Sequence, residues 1–279
     1  MNHPAELAIN QYLEDATSGT SSMSEETITQ IGTDVMDAMR RQFGGGKGRD
    51  EFRLRMSNIG KPTCQLWFAK NKPEEALPKP TTFVMNMLLG DIVEAAFKGI
   101  IKEAGYPYED KDNFVTLQLG DAMIKGSYDI VVDGAMDDVK SASDWSYRNK
   151  FESYDTLQKS DPFGYVGQLA GYAKASGKKV GGWWVVNKAN GNIKYVPADG
   201  LDLDEQLAKL EKTVEIVNEN KFERCFAPVP ETFRGVPSGN TVLNENCKFC
   251  DFRFSCFDIE ELPSKVSKAK TLPIVAYVK

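Results

Sequence analysis

An Asp-Gly pair near the middle of this 279-residue chain brings two acids together. Asp133-Gly134 lies between two apolar alternating runs, a pattern typical of a two-residue hairpin loop. Such a loop pairs Val132 with Ala135 and places Asp129 directly opposite Asp138. Directly opposed side chains share a face with Cβ atoms roughly 5 Å apart. Two carboxylates at that distance repel each other, so the pattern predicts a divalent cation between them.

A lysine completes this constellation. Lys140 lies two residues after Asp138, so strand alternation puts both side chains on one face. Cleaving a phosphodiester requires neutralising the phosphate and activating a water, and Mg²⁺ or Mn²⁺ held by carboxylates does both. We expect Asp129 and Asp138 to be direct ligands. Lys140 would orient or help deprotonate the water and stabilise the developing negative charge.

Hydrophobic periodicity predicts the elements that must position these residues. The order is helix, three or more strands, helix, hairpin, helix, which favours an α/β fold with a central mixed sheet flanked by helices. The predicted helices span 82–104, 164–176 and 204–220, and the predicted strands span 114–119, 122–132, 136–141, 182–187 and 193–196.

The chain divides into three predicted parts. Residues 1–50 are expected to be an N-terminal helical appendage, with an apolar stripe of Ile28, Ile31, Val35 and Met39, followed by a glycine-rich linker. Residues 51–223 form the predicted catalytic core. Residues 224–279, rich in Pro, Gly and Cys, form a C-terminal region expected to pack back on Cys64.

The cysteines predict a second metal centre. Cys247, Cys250 and Cys256 follow a C-x2-C-x5-C spacing, and an odd total of five argues against disulfides. A tetrahedral Zn²⁺ or an iron–sulfur cluster needs a fourth ligand. The tail offers no further Cys or His beyond Cys256, so Cys64 is the expected fourth. Cys225 remains either a buried small residue or a replacement ligand for Cys64.

Three short segments resemble the PD-(D/E)xK nuclease superfamily: 126–129 (Gly-Ser-Tyr-Asp), 138–140 (Asp-Val-Lys) and 168–172 (Gln-Leu-Ala-Gly-Tyr). The last is similar to the Gln-x-x-x-Tyr helix of the RecB-type branch. This resemblance implies a restriction-endonuclease-like core in which the main-chain carbonyl of Val139 completes the set of protein ligands to the metal. It also implies that Gln168 and Tyr172 position DNA or the lysine.

Two positions differ from the superfamily pattern. Tyr128 stands where the family name has proline. RecB-type nucleases commonly have His at the helix position where this chain offers Glu94, although a glutamate also occurs there in phage lambda-type exonucleases. Glu94 is expected beside the metal, as a direct ligand or through a water, with neighbouring Asp91 as the alternative.

One cysteine before the core and three after it resembles the iron–sulfur nucleases of the AddB type and the small CRISPR-associated exonucleases. The resemblance implies a structural [4Fe-4S] cluster on Cys64, Cys247, Cys250 and Cys256, with Zn²⁺ as the alternative cofactor. A phage-encoded relative also fits this pattern.

Composition narrows the class of protein. The net charge of −6 argues against a protein that coats nucleic acid, but not against an enzyme that holds metal with acids. The sequence has no run of about 18 apolar residues, so no membrane span is predicted. The N-terminus lacks a secretion signal, and a cytoplasmic location is expected.

The leading hypothesis is a DNA exonuclease acting in recombination, repair, or phage or CRISPR DNA processing. The expected partner is DNA, single-stranded or with free ends; Trp145 and Tyr147 are candidate contacts, whereas at least one of Trp183 and Trp184 belongs to the core. A homo-oligomer, or recombination or CRISPR partner proteins, would fit such an enzyme. The alternatives are a structure-specific endonuclease and a DNA-binding subunit with a dormant site.

Overall fold

The computed structural model describes residues 3–45 and 51–279. Its eight α-helices within those ranges are α1 (Pro4–Ser18), α2 (Glu25–Phe43), α3 (Thr63–Asn71), α4 (Phe83–Glu103), α5 (Tyr154–Lys159), α6 (Tyr165–Ser176), α7 (Leu203–Glu219) and α8 (Arg253–Cys256). The strands are β1 (Tyr108–Glu109), β2 (Phe114–Leu119), β3 (Ala122–Ser127), β4 (Ile130–Val132), β5 (Ala135–Ala142), β6 (Lys179–Asn187), β7 (Ile193–Pro197), β8 (Val229–Phe233), β9 (Val236–Val242), β10 (Ile259–Pro263) and β11 (Ile274–Val278).

The central sheet has five strands in the order β1-β4-β5-β6-β7. Strands β5 and β6 run parallel, because α5 and α6 lie between them in the chain, while the other neighbouring strands run antiparallel. Helix α4 packs on β5, and α6 packs on β5, β6 and the β2–β3 hairpin. The α/β fold with a mixed sheet flanked by helices is therefore confirmed. No helix in the described ranges combines the length and apolarity that crossing a bilayer requires.

The β4–β5 hairpin has the predicted loop and register. Asp133 and Gly134 both have positive φ angles, 52° and 74°, as a type I′ turn requires. Val132 pairs with Ala135, and Ile130 pairs with Asp137. Continuing this register by one residue sets Asp129 beside Asp138.

The single strand predicted over 122–132 is wrong, because the chain leaves one sheet and joins another within it. Strand β3 ends at Ser127 and pairs with β2, whereas β4 begins at Ile130 and pairs with β5. Between them, the Tyr128 amide donates to the Asn113 carbonyl, and the Asn113 amide donates to the Tyr128 carbonyl at 2.6 Å. Asp129 thus lies at the junction of two sheets and belongs to neither β3 nor β4.

The N-terminal helices contribute to the core. Ala5 and Ile9 of α1 are fully buried in a cluster with Phe97 and Ile101 of α4. Helix α2 also packs along α4, so closely that a Cβ on Gly99 would lie 2.4 Å from Ile31. The boundary at residue 50 stays a prediction, and residues 46–50 of the predicted glycine-rich linker lie outside the described residues.

The C-terminal region contains a second sheet that periodicity did not reveal, in the order β10-β11-β9-β8 with antiparallel pairing. Its strands are short and rich in Pro, Gly and polar residues, which weakens the alternation that identifies a strand. The region contacts α3, since Phe68 of that helix is buried in a cluster with Cys247, Phe252 and Cys256.

The burial of α1 can be tested with a matched pair of substitutions. Ile9→Ala should lower the free energy of unfolding by about 2–5 kcal/mol, the usual cost of a cavity at a fully buried aliphatic site. Leu7→Ala on the same helix, at a position 58% exposed, should change it by less than about 0.5 kcal/mol. Urea denaturation measures both. Equal, small effects would mean that α1 is an appendage after all.

Candidate active site on the β4–β5 hairpin

The hairpin brings the three predicted residues into contact. The Val139 amide donates to Asp129 Oδ2 at 2.9 Å. Lys140 Nζ lies 2.5 Å from Asp138 Oδ2, so the lysine and the acid share a strand face as alternation predicts. Asp129 and Asp138 are close enough to share a proton. The structure therefore places both carboxylates and the amine at one point.

Helix α4 places Glu94 near the hairpin residues, while its role as a metal ligand stays a prediction. Glu94 interacts electrostatically with Asp129 and with Lys140 across the interface between helix and sheet. Asp91 instead accepts a hydrogen bond from Gln42 at 3.1 Å and pairs with Arg41 at 3.4 Å, so it binds α2. Of these two acids, Glu94 belongs to the site.

Lys98 is a member of the site that sequence reasoning missed. Its ammonium lies 2.7 Å from Glu94 Oε1, is 15% exposed, and interacts with Asp129. The Glu94-x3-Lys98 spacing was a usable signal, because side chains four apart on a helix are neighbours and this orientation favours an ion pair. The lysine partly offsets the charge of Glu94.

Helix α6 lines the other side of the site. Gln168 and Tyr172 lie one turn apart on α6, and Tyr172 interacts electrostatically with Asp129, Asp138 and Lys140. Burial raises the pKa of Tyr172 to about 12, so its hydroxyl stays protonated at neutral pH. Both predicted α6 residues are thus brought to the site. Their catalytic role stays a prediction.

Burial dominates the electrostatics of the carboxylates. Burial, reinforced by Asp138, raises the pKa of Asp129 to about 6. Burial also raises the pKa of Asp138, even though Lys140 acts in the opposite direction. Burial would lower the pKa of Lys140, but Asp138 and Asp129 together raise it. Without a metal, Lys140 offsets part of the repulsion between the acids, and below about pH 6 a proton on Asp129 offsets more of it.

The donor set fits a hard divalent cation. Asp138 Oδ2 is buried and, despite the short distance to Lys140, has no partner in hydrogen-bond geometry. Carboxylate oxygens such as those of Asp129, Asp138 and Glu94 are the donors that Mg²⁺ and Mn²⁺ prefer. Across residues 3–45 and 51–279, no three His, Cys, Asp or Glu side chains are already spaced as a formed metal site. The part of the Val139 carbonyl stays a prediction.

The site opens to solvent on the α4 side. Glu94 is 33% exposed, whereas Lys140 is 18% and Asp138 is 5% exposed. Glu94 and Lys98 also line a cavity of about 970 Å³ between α2 and α4. Glu94 and Lys98 are therefore the site residues that border this cavity.

Asp137 anchors strand β5 on the face opposite Asp138, and the sequence analysis did not predict this role. Adjacent strand residues point to opposite faces, so Asp137 projects away from Asp138. Its carboxylate accepts hydrogen bonds from the Gly182 amide at 2.7 Å and from Trp184 Nε1 and the Tyr195 hydroxyl at 2.9 Å each. These bonds tie β5 to β6 and β7.

A glycine makes this anchor possible. A Cβ on Gly181 would lie only 2.0 Å from Asp137 Oδ1, so this position requires a residue without a side chain. The adjacent acids and the paired glycines were visible in the sequence. Their contact depends on the β5–β6 register, which is irregular between Met136 and Asp138.

The structure gathers all five cysteines in one region. Cys225 Sγ accepts a hydrogen bond from the Cys64 amide at 3.1 Å, and the two thiols interact electrostatically. Cys256 interacts with Cys64, and Cys247 interacts with Cys250, Cys256 and Cys225. The interpretation of Cys225 as a buried small residue is wrong, because this residue is exposed and adjoins Cys64.

The environment of the thiols is apolar. Cys247 and Cys256 are buried in a cluster with Phe68, Phe252 and Phe257. Burial, together with the neighbouring thiols, raises the pKa of Cys247 to about 12. Thiols packed together in such a setting are poor thiolates on their own, and metal ligation deprotonates them. The donor set fits a thiolate-bound metal centre.

The predicted aromatic contacts divide into core and surface. Trp183 and Trp184 are both fully buried, so both belong to the core. Tyr147 is half-buried beneath Lys194, whose ammonium lies 4.4 Å from the ring centroid. Trp145 is 64% exposed and stays a candidate contact for DNA.

Comparisons with known proteins add little. No protein-family model matches this chain, and no curated protein matches it. A solved structure described as the crystal structure of SSO0001 is similar over 81% of this chain and 94% of that chain, with 13% sequence identity and a TM-score of 0.43. At that level of likeness, the function of this chain rests on its own residues.

The pH dependence of stability tests the buried anchor. Burial raises the pKa of Asp137 from 3.8 to about 7. Between these values the folded state binds more protons than the unfolded state, so Asp137 makes stability fall as the pH rises from about 4 to about 7. Asp137→Asn, which cannot ionise, should make this fall shallower. Chemical denaturation of the metal-free protein across this range measures it, with Asp155→Asn at an exposed position as the control. An unchanged slope in Asp137→Asn would contradict this assignment.

Proposed function

We propose that this protein is a metal-dependent deoxyribonuclease, and specifically an exonuclease. The convergence of Glu94, Asp129, Asp138 and Lys140 at one partly accessible point carries the proposal. Two carboxylates forced together in a buried place are costly unless a cation or a proton lies between them. An adjoining lysine adds what phosphate chemistry needs, a fixed positive charge. The exonuclease assignment rests further on the resemblance to PD-(D/E)xK nucleases of the RecB type.

The residues then divide the work. Asp129 and Asp138 would hold Mg²⁺ or Mn²⁺, with Glu94 beside them, and the bound ion would supply Lewis-acid activation of the phosphate and of a water. Asp138 holds the Lys140 ammonium where it can orient the attacking water and stabilise negative charge on the phosphate. Lys98 limits the charge of Glu94. Gln168 and Tyr172, one turn apart on α6, would position DNA or the lysine beside these acids.

We further propose that the thiols hold a structural [4Fe-4S] cluster, with Zn²⁺ as the alternative. Cys64, Cys247, Cys250 and Cys256 are the proposed ligands, and Cys225 is the proposed replacement for Cys64. A bound cluster would cross-link α3 to the C-terminal region through thiolate ligation. Support comes from the apolar cluster around the thiols and from the contact between Cys225 and Cys64. The role is structural, since the proposed hydrolysis involves no electron transfer.

Removing one carboxylate should separate cleavage from DNA binding. Asp138→Asn should lower the rate of DNA cleavage with Mg²⁺ or Mn²⁺ by at least about 100-fold, the scale of one electrostatic group at a transition state. DNA affinity should change little, because phosphate contacts outside the site remain. End-labelled single- and double-stranded DNA with gel analysis measures cleavage. Asp121→Asn, at an exposed turn, is the control and should cleave as the wild type does.

The same assay separates the proposal from its alternatives. Release of mononucleotides or short products from an end indicates an exonuclease, whereas internal cuts indicate a structure-specific endonuclease. Wild-type protein that binds DNA yet leaves it intact with either metal would indicate a dormant site. Unchanged cleavage by Asp138→Asn would exclude this site as the catalytic one.

The metal content of cysteine variants tests the second centre. Iron and acid-labile sulfide should be present in the wild type purified without oxygen and absent from Cys247→Ser. Cys64→Ser and Cys225→Ser should each keep metal, because either thiol can serve as the fourth ligand. The double variant should lose the metal. If the wild type contains zinc and no sulfide, the thiols hold a zinc site and not an iron–sulfur cluster. Complete loss in Cys64→Ser alone would exclude Cys225 as a replacement ligand.

A further inference from the structure

Three aromatic rings form a line from the surface to the catalytic lysine. The rings of Phe249 and Phe163 have centroids 6.1 Å apart, and those of Phe163 and Tyr165 are stacked at 5.6 Å with planes 20° apart. Lys140 Nζ lies 5.0 Å from the centroid of Tyr165. The line therefore ends at the ammonium that pairs with Asp138. We call these three rings the aromatic ladder.

The outer rings of the ladder are unusually exposed. Phe249 is 65% exposed and Phe163 is 39% exposed. Phe249 lies in the turn between Cys247 and Cys250, whose own side chains point into an apolar cluster. A phenylalanine held this far into solvent on a turn that is otherwise anchored contributes little to the core. Its position calls for a ligand with a flat apolar surface.

A cation accompanies the rings. Lys150 Nζ lies 4.6 Å from the ring centroids of both Phe163 and Tyr165. Within the part of the chain that the structure describes, no carboxylate lies within 4.0 Å of this ammonium. The acid that interacts with this ammonium electrostatically is Asp161, whose Oδ2 accepts the Val166 amide at 2.9 Å and whose Oδ1 has no hydrogen-bond partner. A positive charge thus lies beside the stacked pair of Phe163 and Tyr165, at equal distance from both ring centroids.

We propose that the aromatic ladder binds single-stranded DNA, with bases stacked on Phe249 and Phe163 and a phosphate on Lys150, so that the strand leads to Lys140. The spacing of flat rings and positive charge matches a polymer of bases and phosphates. Duplex DNA hides the faces of its bases within its own stack, so the ladder selects single strands. This inference rests on the proposed nuclease function and adds the residues that would select a single-stranded substrate.

The inference also gives the cysteine region a role in recognition. Phe249 occupies the second variable position of the Cys247-x2-Cys250 segment, so the fold around the thiols sets where this ring stands. Phe163 and Tyr165 are placed by the turn before α6, which packs on the loop around Gly60 so closely that Gly164 admits no Cβ. Three chain segments distant in sequence therefore build one surface.

Equilibrium binding tests the ladder without relying on cleavage. The full-length protein is titrated into fluorescein-labelled oligothymidylate in EDTA, and anisotropy gives the Kd. Phe249→Ala and Phe163→Ala should each raise the Kd about fivefold or more, the lower range for removing a base-stacking ring. Phe249→Tyr should keep wild-type affinity, since it retains the ring. Phe249→Leu should lose as much as alanine does, although it retains apolar bulk.

Phe233→Ala is the matched control, because Arg234 lies 5.5 Å over its ring in the separate β8–β9 hairpin. It should bind as the wild type does. A matched labelled duplex should bind more weakly to the wild type, and its Kd should be unchanged by the ladder substitutions. Far-ultraviolet circular dichroism and urea denaturation confirm that each variant is folded.

The outcomes separate this inference from the proposed function. Wild-type cleavage with unchanged oligothymidylate binding in Phe163→Ala/Phe249→Ala overturns the ladder and leaves the nuclease standing. Ladder-dependent binding without cleavage by the wild type upholds the ladder and refutes the nuclease. If the double variant changes only the oligomeric state in sedimentation, a second copy of the chain covers the rings, and the inference is wrong.

Discussion

The buried contact of Asp138 with Lys140, beside Asp129, is the interaction on which the remainder of this molecule depends. Charges removed from water must be paired or neutralised, and here burial already raises the pKa of Asp129 and Asp138. Lys140 offsets only one of the two negative charges. One negative charge is therefore left without a compensating cation or proton. A site in this condition is prepared for a cation, which is the chemical basis of the proposed nuclease.

Such a site persists only when the surrounding fold holds it in place. Asp137 does this from the opposite face of the same strand, by accepting hydrogen bonds from β6 and β7. Helix α4 presses Glu94 and Lys98 against the acids, and α1 and α2 in turn pack on α4. Two adjacent aspartates thus have opposite tasks, because neighbouring strand residues face opposite sides. One is anchored by three donors, and the other keeps an oxygen without a hydrogen bond.

The cysteine region and the proposed active site share one surface. Phe249 extends from the turn that carries two of the thiols and meets Phe163, which stacks on Tyr165 above Lys140. A metal centre that fixes this turn would also fix the outer ring of the aromatic ladder. That gives the proposed cluster a mechanical connection to substrate binding with no need for redox chemistry.

The sequence by itself determined the β4–β5 hairpin, the facing of Asp129 and Asp138, the long helix with Glu94, and the mixed α/β sheet. These follow from local rules, since an Asp-Gly turn and strand alternation fix which neighbours share a face. Tertiary structure alone decided the split of the 122–132 strand between two sheets, the burial of α1, the anchoring of Asp137, and the meeting of Cys225 with Cys64. Each of these depends on contacts between segments far apart in the chain, which local periodicity does not encode. The aromatic ladder belongs to the same class, because its rings come from two distant loops and only folding brings them into line.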